Sequence, residues 1–127
     1  MNTSASPAGL TPLEADVLRL LIQAHPDQGR ALEAQLAVAV IASRRQTGVG
    51  FFLNFSVGAA PPIDPPNCEL NDVYAEVPGL EASIGFLLFV RKGKIDFLEG
   101  HTHGEAWPDR LSDYSIAIRS PNRGRPH

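Results

Sequence analysis

The stretch ASIGFLLFVRKGKIDFLEGH, residues 82–101, constrains the fold more than any other. Residues 83–90 are apolar on both faces of an extended chain, as suits a central strand covered on two sides. Arg91-Lys92-Gly93-Lys94 supplies a hairpin turn, and residues 95–101 run back as the next strand. Strands of the same kind flank this hairpin in sequence. In residues 49–57, Phe51, Leu53, Phe55 and Val57 share one face, while Phe52, Asn54 and Ser56 share the other. Val73, Ala75 and Val77 alternate with Asp72, Tyr74 and Glu76, and Pro78-Gly79 closes that strand. Tyr114, Ile116 and Ile118 alternate with Ser115, Ala117 and Arg119 to give a last strand.

The N-terminal part has a different period. Thr11 is a helix cap, Pro12 suits the first helical position and Glu14 completes a capping box. Leu13, Val17, Leu20, Leu21 and Ala24 then recur at helical spacing. His25-Pro26 ends the helix, because the residue before proline avoids the helical region. A second helix starts near Asp27 and runs to about Gln35. The β-branched residues Val38, Val40 and Ile41 favour a strand over residues 36–45. Thr47-Gly48 makes a tight turn. The segment GAAPPIDPPNCELN holds four prolines and reads as a surface loop. The expected fold is a single α+β domain: two N-terminal helices packed on a twisted, mainly antiparallel sheet of five or six strands. Residues 1–9 and 120–127 are expected to be mobile tails.

Composition narrows the function classes. A net charge of −3 argues against nucleic acid or anionic lipid as partner, since both need a positive face. The single cysteine, Cys68, permits no intrachain disulfide, which fits a cytoplasmic setting. No segment has the shape of a secretory signal or the ~20 apolar residues of a membrane helix, so no membrane partner is expected. The second sheet face carries Phe52, Leu87 and Phe89 and has to meet a loop, a ligand or a second protomer. A homodimer, or a protein partner, follows as the expectation.

One stretch suggests chemistry. In FLEGHTHGEAWP, strand alternation puts Glu99, His101 and His103 on one face. Such a set suits zinc or non-haem iron, with Glu99 or Glu105 as general base in a metal-dependent enzyme. The same alternation puts Ile95 and Phe97 on that face, and a bulge at Gly100 would break it. The bland alternative is a pair of partly exposed imidazoles, with no cofactor. The acid spacing of a cupin motif is missing. Gly48-Val49-Gly50 lies in a hairpin and not at the start of a helix, so it is no phosphate loop. Cys68 has no adjacent base and reads as an ordinary loop thiol. Arg44, Arg45 and Glu99 are candidates for an ion-pair network across strands. Arg44, Tyr74 and Trp107 are candidates for a small-molecule pocket between helices and sheet.

The run Phe97-Leu98-Glu99-Gly100, followed by Thr102, Gly104 and Trp107-Pro108, resembles a motif of small uncharacterised bacterial α+β proteins. The stretch RRQTGVGFF, residues 44–52, is similar to their first hairpin. The resemblance implies their fold with no assigned activity. It also implies aromatic residues at the positions of His101 and His103, and so no family metal site there.

Overall fold

A computed structural model describes residues 7–109, 111 and 113–119. Two helices lead the chain, α1 (Pro12–Ala24) and α2 (Pro26–Val38). Seven strands follow: β1 (Ala39–Gln46), β2 (Gly50–Val57), β3 (Cys68–Leu70), β4 (Val73–Glu76), β5 (Ile84–Arg91), β6 (Lys94–His101) and β7 (Ser115–Ile118). They form one antiparallel sheet in the order β1-β2-β6-β5-β4-β7, with β3 also pairing with β5. The α+β class and the helices-then-sheet order agree with the sequence expectation.

Local chemistry explains the helix limits. The Thr11 hydroxyl accepts from Glu14 N (3.1 Å) and the Glu14 carboxylate accepts from Thr11 N (2.9 Å), which completes the capping box. Pro12 and Pro26 stand in the first turns of α1 and α2, where no amide hydrogen bond is lost. The second helix continues three residues past Gln35, to Val38, before the chain extends. Val38 is exposed, so nothing in tertiary packing forces it into the sheet. The expected start of the strand at residue 36 is thus corrected to Ala39. Leu36 belongs to the buried side of α2.

Leu13, Val17, Leu18 and Leu21 of α1 and Leu32 and Leu36 of α2 bury against one face of the sheet. That face is built from Phe51, Leu53, Phe55, Val73, Ala75, Ile84, Phe86, Leu88 and Val90, together with Ile95 and Leu98. Burying a side chain of this size stabilises by about 1.5–3 kcal/mol, so this layer dominates stability. The Tyr114 hydroxyl donates to Asp16 at 2.8 Å and ties the segment before β7 to α1. His25 Nε2 pairs with the Asp72 carboxylate, joining the helix–helix junction to the turn before β4.

Two corrections concern the proline-rich segment and β6. Residues 68–70 were expected to lie in the loop but pair with β5 as the short strand β3. The four prolines all precede this strand, so its ladder amides are free. Within the loop, Ile63 is buried and its amide donates to Gly93 O at 2.8 Å. Gly93 and Lys92 both have positive φ (78° and 54°), the pattern of a two-residue hairpin turn with inverted geometry. On β6 the register shifts between Phe89↔Phe97 and Val90↔Ile95, so the bulge lies at Asp96 and not at Gly100. It turns Ile95 into the core while Phe97 stays on the opposite face. Gly100 has a packing role: a Cβ there would lie 2.4 Å from Phe51 Cε2.

Candidate functional site

The helices cover one face of the sheet, and the other is open among the described residues. Cross-strand pairing sets out its rows. Arg45, Phe52, Glu99 and Leu87 lie in line across β1, β2, β6 and β5. Ser43, Asn54, Phe97, Phe89 and Glu69 form the next row. His101, Gly85, Tyr74 and Ala117 form a third. The Phe89 and Phe97 rings stack at 4.3 Å between centroids and 20° between planes, and Phe52 stands 6.0 Å from Phe97. Phe52, Leu87, Phe89 and Phe97 are all half-buried by one another. Three guanidinium groups lie over this aromatic layer. Arg45 is 4.9 Å from the Phe52 centroid, Arg91 is 5.9 Å from Phe97 and Arg119 is 5.3 Å from Tyr74. Such contacts are each worth about 0.5–1 kcal/mol when exposed.

The expected metal ligands sit at one end of this face. The His101 and His103 rings meet edge to face, 5.4 Å between centroids. His101 packs across Gly85, where a Cβ would come within 2.9 Å of its Nε2, and its Nδ1 is buried without a hydrogen-bond partner. Glu99 lies one row away, between Phe52 and Leu87. Glu105 points elsewhere: its carboxylate accepts from the backbone amides of Glu81 (3.1 Å) and Ala82 (3.2 Å). Among the described residues no three His, Cys, Asp or Glu side chains are grouped to hold a metal ion. The strand ends at His101. Thr102 and Trp107 then donate their amides to Val49 O (2.9 Å) and Gly48 O (2.8 Å), and this clamps residues 102–107 against the first hairpin turn.

The three residues expected to line a pocket are divided. Tyr74 belongs to the open face. Arg44 and Trp107 come together on the helix side, at the end of the sheet beside the start of α1. A bulge at Ala42 in β1 sets Arg44 opposite Leu53 on that side, while Arg45 faces away with Phe52. The expected network of Arg44, Arg45 and Glu99 is therefore corrected. Arg44 Nη1 pairs with the Glu14 carboxylate, whose side chain is only 4% exposed, and its Nη2 donates to Gly9 O at 2.7 Å. The Trp107 ring stands edge-on to Phe51 at 5.5 Å. A cleft of about 320 Å³ lies among Leu13, Glu14, Arg44, Phe51, Trp107 and Leu111. Sequence reasoning missed Glu14 and Phe51 here. Glu14 was legible as a capping residue, but its second oxygen gave no signal of a partner 30 residues away.

Comparison of the chain with protein-family models, with curated proteins and with solved structures found no match. Cys68, expected as a loop thiol, lies in β3 opposite Val90. Burial, and then the nearby Asp64 carboxylate, push its pKa up and so disfavour the nucleophilic thiolate. No helix among the described residues is long and apolar enough to cross a membrane.

Proposed function

We propose that this protein is a non-enzymatic interaction domain that pairs with a second copy of itself through the open sheet face. The observation that carries this is the Phe52–Phe97–Phe89 layer, extended by Leu87 and lying outside the core. Water-facing aromatic layers of this kind mark association surfaces, because their burial is the dominant gain in assembly.

Charge favours a like partner. The face carries Arg45, Arg91 and Arg119 and also Glu69 and Glu99. A two-fold axis sets a patch against itself, so a patch holding both signs can pair with its own copy. A phosphate backbone needs one positive sign throughout, and Glu99 stands in the middle row. The four eight-residue strands β1, β2, β6 and β5 are about 27 Å long and lie side by side over about 19 Å, roughly 510 Å² in projection. That is below the roughly 800 Å² per partner of a standard interface and suits a weak, reversible pair.

Sedimentation across micromolar concentrations tests the reading. The expected result is reversible association to twice the 13.7-kDa chain mass. Leu87→Glu would set a second carboxylate beside Glu99 in each copy and weaken association about a hundredfold, with an unchanged far-ultraviolet spectrum. A strict monomer at every concentration, or a Leu87→Glu protein that still associates as the parent does, overturns it.

A further inference from the structure

We infer that the cleft beneath Trp107 binds a small neutral molecule with an apolar body and a carbonyl that accepts a hydrogen bond. The cleft lies on the helix side of the sheet, so this inference is independent of pairing through the open face. Its volume of about 320 Å³ is at the small end of ligand cavities, which run from about 300 to 1,000 Å³. The walls are apolar at Leu13, Phe51, Trp107 and Leu111, and Thr11, Glu14, Arg44 and Gln46 supply the polar groups. A few polar groups in a mainly apolar lining fix a ligand's orientation.

The polar groups select the head group. A guanidinium carries five N–H donors, and Glu14 and Gly9 O occupy only one nitrogen each. Three N–H groups therefore have no acceptor among the described residues, and on a side chain that lines the cleft and is 30% exposed they are available to an acceptor on a ligand. A charged acceptor is disfavoured because the buried Glu14 carboxylate already neutralises Arg44. A second carboxylate or a phosphate would lie beside the first with no further cation among the lining residues. The start of α1 offers little to an anion either. Thr11 N and Glu14 N are taken by the capping box, Ala15 N donates to Thr11 O and Pro12 has no N–H, which leaves only the Leu13 amide, too little to offset a second negative charge beside Glu14. A ketone, amide or lactone carbonyl satisfies Arg44 without adding charge.

The walls are set before a ligand arrives. The Trp107 amide is held by Gly48 O, Thr102 is held by Val49 O, and the indole rests edge-on against the buried Phe51. Walls held in place spare the ordering cost that binding otherwise carries. Past the indole, a second cleft of about 430 Å³ shares Gln46, Trp107 and Leu111 with the first. A longer apolar body can continue along it.

Trp107 is the sole tryptophan, so its fluorescence reports occupancy. The probes are hexanamide and hexanoate, which share a chain and differ in head-group charge. The expected result is a saturable spectral change with hexanamide and binding at least about tenfold weaker with hexanoate. Leu111→Phe, which fills the cleft, should abolish the response. Leu87→Glu, on the opposite face, should retain it. The inference is overturned by the absence of a saturable response to hexanamide, by hexanoate binding as well or better, or by a response that survives Leu111→Phe.

Discussion

Gln35 is fully buried, and its carboxamide joins three parts of the chain. Its Nε2 donates to Pro61 O (2.9 Å) and Gly93 O (2.7 Å), and its Oε1 accepts from Ile95 N (2.9 Å). It thus holds α2 to the proline-rich loop and to the turn between β5 and β6. The perturbation is Gln35→Met, which keeps the volume and removes the polar head. The three partners suffer unequally. The Ile95 amide loses the acceptor provided by Gln35 beside the bulge at Asp96. An orphaned buried donor costs about 1–3 kcal/mol. Gly93 O keeps the bond from Ile63 N, and Pro61 O lies at a partly buried position, so these two add about 0.5 kcal/mol each. The sum is about 3 kcal/mol. For 127 residues the unfolding entropy is about 0.27 kcal/mol/K, so the melting temperature should fall by about 11 °C. Calorimetry reads the fall, and hydrogen exchange at the Ile95 amide reads its cause. A melting temperature within about 4 °C of the parent, roughly 1 kcal/mol, refutes the reasoning. Unchanged protection of the Ile95 amide refutes it as well.

Two other perturbations reach different layers. Burial, followed by the hydrogen bond to Asp16, pushes the Tyr114 phenol up to about 12. The folded state therefore holds this proton more tightly than the unfolded state, and the contribution is complete below pH about 10 and lost as pH rises through about 12. In chemical melts, the parent should lose stability relative to Tyr114→Phe across that window, and parallel curves would contradict this. Gly100→Ala drives a Cβ to 2.4 Å from Phe51 Cε2 and should cost about 1–3 kcal/mol. Because Phe51 braces Trp107, the tryptophan emission should shift in the folded protein, and an unshifted spectrum with full stability would count against the packing described.

Much of the fold was legible because period and caps agree. The capping box, the stripe through Leu13, Val17 and Leu21, and the alternation of β2, β4 and β7 each reflect a local rule that packing reinforces. What was not legible depended on pairing. The three residues of β3 are too few to show a period and become a strand only because β5 offers an edge there. The bulges at Ala42 and Asp96 each turn the face of every residue beyond them, and neither position carries glycine or proline as a marker. The site was readable in the same uneven way. The His101 and His103 rings do meet, but β6 ends at His101, so the contact comes from the bend after the strand and not from alternation. Tyr74 and Trp107 were grouped by residue type, and the sheet separates them.

The bond from Tyr114 to Asp16 spans 98 residues. At about 5–20 residues per second, the ribosome delivers its second half roughly 5–20 s after its first. During that interval α1 has emerged, while β4 and β7, part of the surface it packs against, are still being made. Leu13, Val17 and Leu21 must stay in a transient helical hairpin with α2 or be held by a chaperone. A nascent chain stalled before residue 115 therefore presents the greasy side of its first helix to solvent or to any bystander, and completion of the last strand ends that exposure.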